Sequence, residues 1–131
     1  MKYLLDADWV VDYLAGDPAA QGFIDGLRPD GIAISIIVYT EIYEGIYGGR
    51  NPRQAERVFR VFLHGIPILP ISQAVARCNA RLRADLRSRK LPVAHRALDL
   101  LIAATALHHK LTLVTRNRKD FQDIPGLTIH P

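Results

Sequence analysis

Short apolar runs alternate with helical patterns along the whole chain, and this alternation limits the folds that the sequence can adopt. The runs are rich in leucine and β-branched residues and are bounded by glycine, proline or polar residues, as buried strands usually are. Five runs fit this description, at residues 3–5, 32–36, 66–69, 111–114 and 127–129. Strands that alternate with helices favour an α/β fold with a largely parallel sheet and helices on both faces.

The composition fits a chain with one hydrophobic core. Its 131 residues are 49% apolar, so we expect a single domain over residues 1–131. The chain does not start with a basic segment followed by an apolar stretch, and no uncharged run approaches the ~18 residues of a membrane span. We therefore expect a soluble, cytoplasmic protein without membrane contact. The single cysteine excludes an internal disulfide.

Helical periodicity is clear over residues 72–89, where apolar residues recur every three or four positions. Ser72 stands before this pattern and is a favourable N-cap residue. Arginines occupy the other face and include two pairs that are four residues apart: Arg77 with Arg81, and Arg83 with Arg87. Two interpretations remain open for these basic rows, a solvated helix face or a surface that meets an anionic polymer or an acidic peptide.

Acidic side chains recur where the predicted strands end. Asp6 directly follows the first run, Glu41 lies a few residues after the second, in what reads as the start of a helix, and Asp120 follows the fourth. Asp99 lies in the strongly apolar segment ALDLLIAATAL, where an unpaired carboxylate is disfavoured. Because ligand sites in parallel α/β sheets lie beyond the carboxyl ends of the strands, we expect these acids to converge there.

Each acid also has a purely structural explanation. Asp6 is in a position to cap the following helix, and Asp99 to occupy the first turn of its own helix, where the helix dipole stabilises an acid. Asp120 has the simplest alternative, a solvated loop residue. Converging carboxylates without cationic partners, however, either acquire raised pKa values or bind a cation. Oxygen ligands without cysteine or a spaced histidine pair favour Mg²⁺, or Mn²⁺, over zinc.

Four segments resemble the motif regions of a known nuclease family: YLLDADWVVDYL, SIIVYTEIYEG, DLLIAATAL and LTLVTRNRKDF. Together they look like PIN-domain nucleases, and their order and the chain length are similar to the VapC toxins of prokaryotic toxin–antitoxin pairs. The resemblance implies a three-layer α/β/α sandwich around a sheet of about five strands. It also implies metal-dependent cleavage of RNA, of the tRNA or rRNA class, a VapB-like antitoxin that blocks the site, and a homodimer.

Carried over to this chain, the resemblance assigns catalytic roles to four acids: Asp6, Glu41, Asp99 and Asp120. It implies that Asp6 and Asp99 bind the Mg²⁺ ion directly, and that Glu41 acts directly or through a bound water. Metal-assisted hydrolysis would then cleave the phosphodiester without a covalent enzyme intermediate.

The chain departs from the family pattern at two positions. The last motif commonly has an acid two residues after its threonine, where this chain has Asn117, so Asp120 is the expected fourth carboxylate. Asp8 stands where the family commonly has Asn or Ser. An extra acid there can tighten metal binding or support the ligands from outside, and the sequence leaves both interpretations open.

Two other functions compete with the nuclease. Asp6 and Asp8 after an apolar strand also resemble the nucleophile motif of haloacid-dehalogenase-type phosphatases. Val10 replaces the threonine expected there, and 131 residues leave little room for that fold. The other alternative is a non-catalytic α/β binding module whose acids are caps and surface residues. Metal-stimulated RNA cleavage without phosphatase activity would distinguish the three.

Overall fold

A parallel sheet of four strands forms the centre of the protein. The computed structural model describes residues 1–131, and its strands are β1 (Tyr3–Leu5), β2 (Ile32–Ser35), β3 (Ile68–Leu69) and β4 (Thr112–Val114). They lie in the order β3-β2-β1-β4, and every pairing is parallel. All residues of β1 and β2 are buried, as expected for strands covered on both faces. The predicted α/β fold with a parallel sheet is confirmed.

The predicted fifth strand is reduced to a single bridge at the edge of the sheet. Leu113 of β4 pairs in parallel with Ile129. Its amide donates to the Thr128 carbonyl and its carbonyl accepts from the His130 amide, both at 2.8 Å. The sheet therefore has four strands instead of about five.

Six α-helices flank the sheet: α1 (Ala7–Leu14), α2 (Pro18–Leu27), α3 (Ile36–Tyr47), α4 (Pro52–Phe62), α5 (Gln73–Ser88) and α6 (Ala97–His109). Right-handed crossovers place α1 to α4 on one face of this strand order and α5 and α6 on the other. The packing agrees, because α1 contacts α2, α3 and α4, while α5 packs along α6. None of the helices has the length and apolar character needed to cross a membrane.

Polar caps fix where most of the helices begin. The side chains of Asp6, Asp17, Ser35, Asn51 and Ser72 accept backbone amides at the starts of α1 to α5. The predicted cap at Ser72 is confirmed.

The junction of β2 and α3 differs from the prediction in one respect. Ser35 ends β2 and its Oγ accepts the Val38 amide at 3.1 Å, so α3 starts at Ile36. Glu41 therefore lies in the middle of the helix and not near its start.

Arg96 ties the segment before α6 to the turn that follows β4. Its guanidinium donates to both carboxylate oxygens of Asp123, at 2.9 and 2.7 Å, and to the carbonyls of Pro92 and Asp120, at 2.8 and 2.9 Å. The Arg96 side chain is only 13% exposed. This guanidinium holds the pKa of Asp123 below its usual value. The Arg96 contacts thus fix the start of α6 against residues 120–123.

We expect Arg96→Met to lower the free energy of unfolding by about 2 kcal/mol, because it leaves a partly buried carboxylate and two carbonyls without their donor. The matched control is Arg89→Met. Arg89 also pairs with an aspartate, Asp85, and makes a long bond of 3.3 Å to the Asp123 carbonyl. Both side chains of the pair are nearly half exposed, so the loss should stay below about 1 kcal/mol. Urea denaturation of both variants measures the difference, and equal losses would contradict the role given to Arg96.

Candidate active site

Asp6 is buried at the carboxyl end of β1 and is bonded at both carboxylate oxygens. Oδ1 accepts the Ala7 amide at 2.8 Å, which caps α1, and Oδ2 accepts the Thr115 hydroxyl at 2.7 Å. The side chain is 6% exposed. Burial raises the pKa of Asp6, while the bonds from Thr115 and Ala7 oppose that shift. The cap considered for Asp6 is therefore present, and it places a buried carboxylate at the edge of the sheet.

Glu41 and Asp99 approach this edge from two different helices. Asp99 lies in the first turn of α6, as predicted. Both side chains line a cavity of about 360 Å³ that also includes His95. Burial and the charges of Asp6 and Asp99 raise the pKa of Glu41 to about 7. The pKa of Asp99 is raised by burial and by the charges of Asp6 and Asp120.

Asp8, Asn117 and Asp120 lie at the exposed rim of the same region. Asn117 donates its side-chain amide to Asp8 at 3.4 Å and its backbone amide to Thr115 Oγ1 at 3.0 Å. Asp120 ends the 3₁₀ turn Arg118–Asp120, and its charge contributes to the raised pKa values of Asp6 and Asp99. Both candidates for the fourth motif position thus lie near the other acids, and Asp120 is the one that adds a negative charge.

None of these acids forms an ion pair. The five salt bridges of the protein involve other carboxylates, those of Asp12, Asp25, Glu56, Asp85 and Asp123. The site is therefore a concentration of negative charge without an ion pair, in which the pKa values of Asp6, Glu41 and Asp99 are raised.

The donor set of the site suits a hard cation. No three acidic, histidine or cysteine side chains are close enough together to enclose an ion by themselves. Mg²⁺, however, is usually held by one or two carboxylates and keeps several waters. Asp6 and Asp99 can supply two such carboxylates, because each oxygen of Asp6 has a second lone pair beyond the one that accepts a hydrogen bond. The residues present therefore fit a divalent ion.

Sequence reasoning missed the role of Thr115 and Ser35. Both are buried polar residues at the ends of strands, and both hold neighbouring groups by hydrogen bonds. The available signal was the one that identified Asp6, a polar residue directly after an apolar run. Hydroxyl residues are common at such positions, and nothing local indicates that Thr115 reaches Asp6.

The comparisons with known proteins point to one family. The family model described as "PIN domain" matches residues 3–127. A protein named ribonuclease VapC2, from Rickettsia felis, is 34% identical over 98 residues, which cover 75% of this chain and 72% of that protein. A protein named tRNA(fMet)-specific endonuclease VapC, from Shigella flexneri, is 26% identical over 97% of this chain and 95% of its own length.

Solved structures of known proteins include chains with a fold very similar to that of this chain. The crystal structure of VapBC2 from Rickettsia felis bound to a DNA fragment from the promoter contains a chain that superposes with a TM-score of 0.87 at 29% identity. The superposition covers 99% of this chain and 98% of that one.

We expect the metal-free protein to lose stability between about pH 5 and pH 7.5. The pKa of Glu41 rises from 4.5 to about 7 on folding, so in this range the native state binds more protons than the unfolded state, and stability falls as the pH rises. Between these pH values the free energy of unfolding of Glu41→Gln should fall by about 1 kcal/mol less than that of the wild type. The difference is no larger because water partly screens the partly exposed side chain. Urea denaturation in a chelator at both pH values measures it.

The control for this change is Asp30→Asn, which removes an exposed carboxylate at the end of the 3₁₀ turn Arg28–Asp30. Its pH slope should match that of the wild type. If Glu41→Gln also kept the wild-type slope, the site would not raise the pKa of Glu41.

Proposed function

The chain belongs to the PIN domain family and, within it, to the VapC ribonucleases, and on this premise we propose that it is the endoribonuclease toxin of a type II toxin–antitoxin pair. The observation that carries the proposal is the meeting of Asp6, Glu41, Asp99 and Asp120 at one edge of the sheet without an ion pair among them. Neither the phosphatase nor the non-catalytic module has comparable support.

The proposed cofactor is Mg²⁺, with Mn²⁺ as a substitute. Asp6 and Asp99 would bind it directly and Glu41 would contribute directly or through water. When bound, such an ion neutralises the non-bridging oxygens of a phosphodiester and lowers the pKa of water. The family is metal-dependent, and the uncompensated carboxylates support a cation at this place.

The side chains of the site have distinct proposed roles. Thr115 and the Ala7 amide hold the Asp6 carboxylate in one orientation. Glu41, which lines the same cavity as Asp99, would accept a proton from the attacking water. Asp120 would complete the site from the rim. Water then attacks the phosphorus directly, and no residue becomes covalently attached to RNA.

The proposed protein partner is a VapB-like antitoxin. Several of the similar solved structures are described as VapBC complexes. In this chain an apolar groove of about 450 Å³ lies between α1, α3 and α4 and has Glu41 on its wall. Val11 and Val58, which line it, are exposed. An apolar surface that adjoins the site supports a partner that covers the site. A homodimer remains a prediction of the family resemblance.

The proposed substrate is RNA of the tRNA or rRNA class, supported by the relative from Shigella flexneri that is named for tRNA(fMet). The basic rows of α5 fit this proposal. The α5–α6 hairpin turns back at residues 89–96, so the C-terminal half of α5, with Arg83 and Arg87, lies toward the end of α6 that carries Asp99. The row of Arg83 and Arg87 would then meet a polyanion that reaches the site.

We expect Mg²⁺ or Mn²⁺ to bind the metal-free protein, and Asp6→Asn or Asp99→Asn to weaken binding by roughly tenfold or more, because each removes a charged oxygen ligand. Isothermal titration calorimetry measures it. Asp30→Asn, at an exposed position before β2, is the control. In Asp8→Asn, clearly weaker binding would mean that Asp8 tightens metal binding, and nearly unchanged binding would mean that it only supports the ligands from outside. Unchanged binding in both site variants would contradict the proposed ligands.

Expression of the wild-type chain should arrest bacterial growth, and the purified protein should cleave RNA in Mg²⁺ but not in a chelator. Asp99→Asn should lower the cleavage rate by roughly 100-fold or more and relieve the arrest, because a ligand for the cation is lost. Circular dichroism and thermal melting check that the variant folds. Persistent cleavage by a folded Asp6→Asn, Asp99→Asn double variant would rule out this mechanism.

A further inference from the structure

Arg116 and Trp9 form a stack at the rim of the acidic site. The guanidinium carbon of Arg116 lies 3.9 Å from the centroid of the Trp9 ring. Phe23 packs on the same indole, with ring centroids 4.2 Å apart and an angle of 30° between the planes. Two groups this close to one ring must lie on opposite faces. Trp9 is therefore held between Phe23 and Arg116, and it keeps the guanidinium in a fixed place.

This stack adjoins the carboxylates. Arg116 stands between Thr115, which donates to Asp6, and Asn117, which contacts Asp8. Arg116 also pairs with Asp12, one helical turn after Asp8 on α1. A cation is thus fixed beside a site whose own charges are all negative.

The Arg116 guanidinium has donors to spare. A guanidinium carries five N–H groups, and Arg116 uses one nitrogen, in its bond to Asp12. Its side chain is 39% exposed. Arg96, by contrast, directs its donors to four acceptor atoms within the protein. Arg116 therefore has free N–H groups with which it can bind an incoming anion.

We propose that Arg116, held in place by Trp9, binds a phosphate of the RNA strand next to the one that is cleaved. The inference rests on the proposed ribonuclease function. A strand with one negative charge per nucleotide is repelled by the acids, and a guanidinium offers the forked N–H pair that phosphate oxygens accept. Stacking on Trp9 reduces the freedom that Arg116 loses when it binds.

A purely structural role is the competing explanation, in which the Arg116–Asp12 pair only fastens residues 115–118 to α1. Asp12→Asn separates the two explanations. It removes the ion pair that would do the fastening, yet it leaves the cation in place and removes a nearby negative charge. RNA affinity should therefore be kept or increased in Asp12→Asn and reduced in Arg116→Met.

The experiment uses a labelled single-stranded oligouridylate of about ten nucleotides, in a chelator so that it is not cleaved. Fluorescence anisotropy should give about tenfold weaker binding for Arg116→Met, and a log–log salt slope that is smaller by about 0.7, as expected for one lost phosphate contact. The control is Lys2→Met, which also removes a cation lying over an aromatic ring, that of Tyr3. Lys2 precedes β1, so it lies at the amino end of this strand, opposite the end that carries the site. This variant should change affinity by less than about twofold.

Trp9 provides a second, local signal, because it is the single tryptophan of the chain. Its emission should change when the wild-type protein binds the oligonucleotide. Arg116→Lys, which keeps the charge but loses the planar fork, should recover part of the salt slope.

The outcomes separate this inference from the function on which it rests. If the wild type cleaves RNA in Mg²⁺ while Arg116→Met matches it in affinity, salt slope and cleavage, the inference is wrong and the ribonuclease stands. If Asp12→Asn and Arg116→Met lose affinity equally and in step with thermal stability, the structural role is correct and the inference is again wrong. If the wild type neither binds nor cleaves RNA, both are wrong.

Discussion

The hydrogen bond between the Thr115 hydroxyl and the buried Asp6 carboxylate is the contact on which the site depends. It joins the ends of two adjacent strands, β1 and β4, while the other oxygen of Asp6 caps α1. Burying a carboxylate is unfavourable unless hydrogen bonds offset the lost hydration. These two bonds do so in part, and the pKa of Asp6 nevertheless remains raised. The fold thus holds the Asp6 carboxylate in a buried position that is unfavourable for stability.

The same tension extends to the neighbouring acids. Glu41 and Asp99 come from helices whose starts are fixed by the fold, Glu41 through the Ser35 cap and Asp99 through the Arg96 contacts before α6. Neither helix can turn away to relieve the repulsion without losing those contacts. Strain of this kind is concentrated at functional sites because the rest of the structure maintains it. The group of acids held together by α3 and α6 is accordingly a better indication of function than any single residue.

Local patterns in the sequence were sufficient to predict four of the five proposed strands, the Ser72 cap and the place of Asp99 in the first turn of its helix. They were insufficient wherever a distant partner decides the outcome. Thr115 and Asp6 are 109 residues apart, and no local pattern indicates their contact. The order of the strands is decided in the same way, by packing between distant segments. The sequence pattern puts Glu41 too near a helix start, because Ser35 both ends β2 and caps α3.

The pairing of β1 with β4 has a consequence for how the protein is made. Of the four strands of the sheet, β1 leaves the ribosome before the others, and it lies between β2 and β4, which leaves after the others. Until residues 112–120 emerge, the Asp6 carboxylate has no hydroxyl partner and the rim that carries Asn117, Asp120 and Arg116 does not exist. An incomplete chain therefore cannot assemble this site.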